Sequence, residues 1–389
     1  MEIPVYNKNI YTKKSLLASD AIFKELRGLG EVVYLPKHKV YAVTSYDAVQ
    51  KALANNVTFS SDKGVSVNNL MNSLSTQNPS VLTCEGETQA KRKGVIMQPL
   101  NRRKMKDLKE NITKESEELV QGLLKKKEFD IVSDFARHLP ISVVANLIGI
   151  TKKGQDKLLE WAFAAFNTNG PMNWRTIKSM PTLLGLGIYS QKISESEVQP
   201  GGWAAGVFKA VKAEKISMDE GKAMIFDYCV PSLDTTILST SYMYWALAKD
   251  PKAYQEVRSN PDLIRGVVNE ALRLSTPIRG FTRHVNAETT LNSYTIPKKS
   301  RILALYASGN LDGKKYPNPD RFDIHRNPED HLAWGHGVHK CAGMHLARLE
   351  MEELLRALCK YVKHLEVGTP TYIVNNVLQG LESAPGKVA

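Results

Sequence analysis

The chain has 389 residues, 42% of them apolar and 24% charged, with a net charge of +12; this balance excludes a disordered, fibrous or disulfide-stapled protein. Its four cysteines, Cys84, Cys229, Cys341 and Cys359, have no C-x-x-C spacing, which excludes a zinc ribbon, a dithiol redox pair and C-x-x-C-H haem attachment and suits a reducing cytosol. The basic excess suits nucleic acid, an anionic membrane or an acidic protein partner, and the total alone does not choose among them.

The opening MEIPVYNKNIYTKKSLL lacks an apolar run long enough for a signal or a membrane span, so a soluble cytoplasmic protein with no membrane contact is expected. Residues 31–45 alternate as a β-hairpin, and 46–55 return to helix. Met105, Leu108, Ile112, Leu119 and Leu123 form one apolar stripe on a long helix. Another helix opens at Ser217, with Glu220 completing a capping box, and its pattern runs to about Ala248. At 1.5 Å per residue it should span roughly 47 Å. Asn260 and Pro261 start a shorter helix over 260–274. A loop at 316–322 follows, then WGHGVHKCAG (334–343), then a helix over 342–362. With no repeat and no Gly/Ser linker, the expectation is a single domain over 1–389, mainly α with small β-sheets.

The 334–343 stretch concentrates chemistry. Gly335 and Gly337 permit torsions that a side chain forbids, and Gly343 lets the following helix approach whatever Cys341 touches. A cysteine at a helix start, with backbone donors aimed at its sulfur, suits an electron-rich metal ligand. Two other readings stay open on this stretch alone. One is a buried cysteine in a glycine turn; the other is zinc, with His336, His339, Cys341 and His345 as ligands.

Aromatic-G-x-G-x-H-x-C-x-G resembles the haem-binding signature of the cytochrome P450 monooxygenases, with Trp334 where the family usually has Phe. Glu270 and Arg273 in NEALRL resemble the family's E-x-x-R and share a helix face. Arg321 in PDRF matches the arginine that, by resemblance, completes a buried triad beneath the haem. PSLDTT (231–236) resembles A-G-x-D/E-T-T, which places Asp234 and Thr235 in oxygen activation, where protons must be supplied. Pro231 and Ser232 replace the family's Ala-Gly; the proline removes the bond to the Asp227 carbonyl and should bend the helix. The resemblance implies the cytochrome P450 fold, with haem b held by Cys341 as axial iron ligand. It places Arg283 and His339 at the propionates, and Gln89 and Lys93 where the family has H-x-x-x-R.

Lys91, Arg92, Lys93, Arg102, Arg103, Lys104 and Lys106 cluster on the side expected to lie behind the thiolate. Such a face would steer an acidic 2Fe–2S ferredoxin that relays electrons from NAD(P)H through a reductase. No aromatic-interleaved patch accompanies the charge, which disfavours nucleic acid, and a monomer is expected. FSSDKGVS, AFNTNGPMN, QPGGWAAGVF and NNVLQGLESAP resemble the bacterial group that oxidatively demethylates para-methoxybenzoate. There Lys63 and Ser66 match the residues that hold the substrate carboxylate, and Phe166 matches a ring-packing aromatic. Phe226 and Asp227 stand where that group has Arg-Ser, with Val230 one turn on. An anionic Asp227 would repel a benzoate and accept from a phenol, so a small methoxy- or alkyl-substituted aromatic, phenolic by preference, is the expected substrate. A peroxide-driven haem peroxygenase and a non-catalytic haem sensor are the alternatives.

Overall fold

The helix expected over 217–248 is two helices, Met218–Cys229 and Asp234–Lys249. It begins as its sequence implies: the Ser217 N–H donates to Glu220 Oε2 at 2.8 Å and the Glu220 N–H to Ser217 Oγ at 3.2 Å. Pro231 does more than bend it. With no N–H to offer and a ring that crowds the preceding turn, it interrupts the ladder over 230–233. Hydroxyls then take the freed carbonyls: Ser232 Oγ donates to Tyr228, and Thr235 Oγ1 donates to Pro231 at 2.9 Å. The ladder resumes with the Ile237 N–H on the Leu233 carbonyl at 3.1 Å.

The computed structural model describes residues 1–389 apart from 78, 101 and 151, and side chains apart also from 99, 102–104, 152, 153, 226 and 229. The expected stripe on the long helix holds over Arg102–Lys126, where Ile112 and Val120 are fully buried. They join Met243, Tyr244 and Leu247 of the second half-helix and Leu354, Leu355 and Leu358 of Met344–Tyr361 in the largest apolar cluster. Each such side chain contributes roughly 1.5–3 kcal/mol by leaving water. Among the described residues, Ile131–Ile148 is the stretch long and apolar enough to cross a membrane, and 56% of it is buried inside the protein, as in a core helix.

The expected hairpin forms from Val32–Leu35 and Val40–Val43, with Leu35 opposite Val40. Val40–Val43 then pairs in parallel with Arg301–Ala304, which pairs antiparallel with Phe281–Val285, and Phe59–Ser60 closes the edge of this five-stranded sheet. Val32, Val43, Ile302 and Ala304 pack into a second apolar cluster together with Phe166 and Leu238. Asp234–Lys249 contributes to both clusters, Leu238 to the one under the sheet and Met243 to the helical one, so the interrupted helix lies at their junction. Asn260 caps as expected, accepting from the Asp262 N–H, but its first turn is tight and the regular helix is Ile264–Ser275.

Candidate functional site

The 334–343 stretch is a closed loop. The Cys341 N–H donates to the Trp334 carbonyl at 2.9 Å, which returns the chain on itself across the two glycines. Gly335 and Gly337 both have left-handed backbones, with φ of 67 and 71. At Gly337 a side chain is also barred by space, since a Cβ there would lie 2.5 Å from the Leu53 carbonyl oxygen. The helix begins at Met344, with Gly343 as its cap, so Cys341 precedes it rather than opening it. The N–H groups of Gly343 and Met344 are nevertheless directed at the Cys341 sulfur.

Cys341 is exposed to solvent, with Lys93 and Lys340 near its sulfur. Burial pushes its pKa up, and the Gly343 N–H, Lys93, the Met344 N–H and Lys340 offset that only in part. Gln89 and Lys93, one turn apart on Gly86–Met97, both hold this loop. Gln89 Nε2 donates to the Val338 carbonyl at 3.0 Å; Lys93 Nζ donates to Val338 at 2.6 Å and Lys340 at 3.0 Å. His339 Nε2 meets Glu85 Oε1 at 3.0 Å. Glu85 also accepts from the Ser61 N–H and Asn56, and although burial raises its pKa, these partners bring it down to about 2. Sequence reasoning missed Glu85, because no spacing links it to His339. Arg283 is buried on its strand and donates to the Thr282 carbonyl at 2.8 Å. Trp334 is buried, and its Nε1 lacks a hydrogen-bond partner among the described residues.

The E-x-x-R pair is bidentate: Arg273 Nε and Nη2 each lie 2.7 Å from a Glu270 oxygen, and both side chains are fully buried. Arg273 also donates to the carbonyls of Asn310 and Pro319 at 2.7 and 2.8 Å. The third member is not Arg321. That residue is exposed and offers only its carbonyl, whereas Arg326 Nε reaches Glu270 Oε1 at 3.1 Å. Asn318 in the preceding turn is left-handed, and Arg326 also donates to the Pro317 and Asn318 carbonyls of that turn. FDIHR carried that signal, but its arginine stands outside the quoted motif.

Asp234 and Thr235 stand where the interrupted helix resumes. Asp234 Oδ2 is a buried carboxyl oxygen without a hydrogen-bond partner among the described residues, and burial raises its pKa to about 7 against the weaker pull of Arg137. Thr235 Oγ1 is tied to the Pro231 carbonyl by the bond that the interruption created. An acid that keeps its proton near neutrality thus adjoins an anchored hydroxyl.

The residues matched to substrate are not gathered in one place. Gly64, with φ of 81, turns the chain so that Lys63 lies exposed in a surface cleft and Ser66 is buried, its hydroxyl on Asn169 Oδ1 at 2.6 Å. A joint carboxylate clamp of Lys63 and Ser66 is therefore not formed. Asp227 Oδ2 accepts the Val81 N–H at 2.8 Å and the carboxyl also bonds Ser80; burial raises its pKa to about 7. The expectation that Asp227 presents a free anion to substrate is corrected accordingly. Phe166 is buried beside Leu238 and Phe281, and Val230 packs against both apolar clusters. The side chain of Phe226 lies outside the described residues, as do those of Arg102, Arg103 and Lys104. Of the remaining basic cluster, Lys91 and Lys106 are exposed, while Arg92 is buried and bonds Glu220 and the Pro79 carbonyl, which removes it from any docking face.

Among the described residues, no group of three or more His, Cys, Asp or Glu side chains converges as an ion site, so the zinc reading finds no ligand set. A single thiol with N–H groups on its sulfur, on a loop held by Lys93 and Gln89, fits an iron porphyrin instead.

Comparisons agree with that donor set. The family model described as Cytochrome P450 matches residues 205–371. Cytochrome p450 CYP199A2 of Rhodopseudomonas palustris is 30% identical over 364 residues, covering 92% of this chain and 88% of that protein. Putative cytochrome P450 YjiB of Bacillus subtilis is 27% identical over 378 residues, covering 93% and 91%. The crystal structure of the versatile cytochrome P450 enzyme CYP109B1 from Bacillus subtilis superposes with a TM-score of 0.79 at 26% identity, over 97% of this chain and 100% of that one.

Proposed function

The chain belongs to the cytochrome P450 family, and from that premise we propose a monooxygenase that hydroxylates or O-demethylates a small methoxy- or alkyl-substituted aromatic acid or phenol, with electrons from a ferredoxin. Family membership makes it a haem monooxygenase with a small substrate and a redox partner. The aromatic substrate and the ferredoxin are the finer reading.

Cys341 would hold the haem iron, with Arg283, His339, Lys93 and Gln89 about its edge and Trp334, Gly335 and Gly343 shaping the loop. When bound, haem supplies dioxygen binding and the oxidising chemistry. Everything else falls to the chain. The Gly343 and Met344 N–H groups stabilise negative charge on the Cys341 sulfur. Lys93 and Gln89 bind the loop carbonyls of 338 and 340, which keeps the sulfur in place. Glu270, Arg273 and Arg326 clamp the structure behind the loop.

The observation that carries the reading is the interruption at 230–233. It leaves the Asp234 carboxyl buried, protonated to about pH 7 and with one oxygen lacking a hydrogen-bond partner among the described residues, next to Thr235 fixed on the Pro231 carbonyl. Such a pair can hold a proton at Asp234 and deliver it to oxygen at neutral pH, a need the peroxide-driven alternative lacks. Asp227 is engaged by the Val81 N–H and Ser80, and near its pKa of about 7 it is only part ionised, so the case for a phenol over a benzoate weakens. Oxidation of a methoxy carbon would release formaldehyde and leave a phenol. On the partner side, Lys91 and Lys106 remain as exposed cations for an acidic ferredoxin.

The test is the carbon-monoxide difference spectrum of the reduced protein, followed by titration of benzoates and phenols into the ferric form. A red-shifted thiolate band with high-spin conversion by small aromatics is expected. Absence of the band, or of any shift with both series, would overturn the cofactor or the substrate assignment respectively. Turnover with peroxide that no ferredoxin accelerates would favour the peroxygenase, and ligand binding without NAD(P)H-dependent product would favour the sensor.

A further inference from the structure

One end of the five-stranded sheet carries a second concavity, separate from the site around Cys341. Val40–Val43 and Arg301–Ala304 run parallel and Phe281–Val285 runs opposite, so two strand starts and one strand end emerge together. The turn before Val40 brings Lys37 and Lys39, and the turn before Arg301 brings Lys299. His284 and Arg301 face each other in register, and Lys63 arrives from the loop after Phe59–Ser60. The helix Asn69–Gln77 and Met172 close the far wall of a cleft of about 720 Å³.

Every titratable side chain on this wall is a base. Among the described residues, none of the five Lys and Arg side chains has a carboxylate partner within ion-pair distance. Asp62 acts on Arg301 and His284 through space but does not line the cleft. Burial first, then Lys63 and Arg301, hold the His284 pKa below its usual value, which reports the positive field. Arg301 is fixed in place by bonds to Gly64, Thr282 and the Lys63 carbonyl. Lys39 and Lys299 have left-handed backbones, with φ of 53 and 65, where glycine or asparagine is the ordinary choice.

We propose that this cleft binds a small phosphate-bearing polyanion. Like charges gathered on concave walls repel one another and focus their field on the space between them. A single carboxylate would balance one of five fixed charges, whereas phosphate groups bring several charges and many acceptor oxygens for lysine and arginine donors. The volume lies in the range of small-molecule sites, roughly 300–1,000 Å³. The cleft floor also reaches the loop that carries Ser66. Val67, which lines it, donates its N–H to the Asn169 carbonyl, and Asn72 bonds both the N–H and the carbonyl of Ser66. A ligand here therefore grips the loop whose inner face carries Ser66.

Isothermal titration of the full-length protein with inorganic pyrophosphate at low ionic strength tests this. Saturable one-to-one binding is expected, roughly tenfold or more weaker in a Lys63→Ala/Lys299→Ala variant and unchanged in Lys91→Ala/Lys106→Ala. Circular dichroism matched to the parent shows that each variant is folded. Heats that do not saturate, equal weakening in both variants, or benzoate binding as tightly as pyrophosphate would each overturn the proposal.

Discussion

The thiol side of the molecule and the pocket side were matched to one family with similar ease, yet they fold with different fidelity. Behind the thiol, motif and structure coincide but for Arg321: the loop closes on itself through Trp334 and Cys341, and Glu270 grips Arg273. Around the pocket, matched residues turn to other work. Lys63 faces an outer cleft, Ser66 serves Asn169, and Asp227 holds the 80–81 turn. A motif transfers well where neighbours in sequence set its geometry. It transfers poorly where the partner comes from a distant segment.

The largest expected effect lies on the thiol side. Arg273→Ala removes the bidentate partner of the fully buried Glu270, leaves it Arg326 alone among cations, and frees the Asn310 and Pro319 carbonyls, so chemical denaturation should show a loss of about 3–5 kcal/mol, with loss of folding as the extreme outcome. Gly337→Ala should come next, because its Cβ meets the Leu53 carbonyl and its backbone is left-handed. Gly335→Ala has only the second burden, about 1–2 kcal/mol, and differential denaturation of the two variants would separate clash from strain.

The remaining predictions probe the pocket side. On the proposed role of Asp234 as proton donor, Asp234→Asn should slow NAD(P)H-coupled turnover roughly 100-fold. Because Asp234 ionises at about 7, the parent's activity should fall above that pH, and the variant's profile should lack this limb. Asp227→Asn should act chiefly through stability. A carboxyl whose pKa is raised from 3.8 to about 7 binds its proton more tightly when folded, so its contribution is full below about pH 4 and lost as pH rises through 7. Asp234 and Glu350, raised to about 7 and about 8, share this sign, so the measurement is the difference in slope between parent and Asp227→Asn in denaturation at several pH values. The smallest effect should be that of Arg321→Ala, within about 0.5 kcal/mol, because its side chain is exposed and makes no hydrogen bond or ion pair among the described residues. An effect as large as that of Arg326→Ala would restore Arg321 to the triad.

The sequence by itself determined the family, the thiol, the E-x-x-R pair and the hairpin. These depend on backbone torsions allowed to glycine, on residues three apart on one helix face, and on strand alternation, all of which are local. It also showed that Pro231 would disturb a helix. Only the tertiary structure decided that the helix breaks into two, because that required Ser232 and Thr235 to cover the released carbonyls while Leu233 stays buried in the core. The structure likewise chose Arg326 over Arg321, paired His339 with Glu85, and moved Lys63 outside. Those choices follow from burial and charge pairing between segments tens to hundreds of residues apart, where the lowest free energy depends on which partners the fold brings within hydrogen-bond reach.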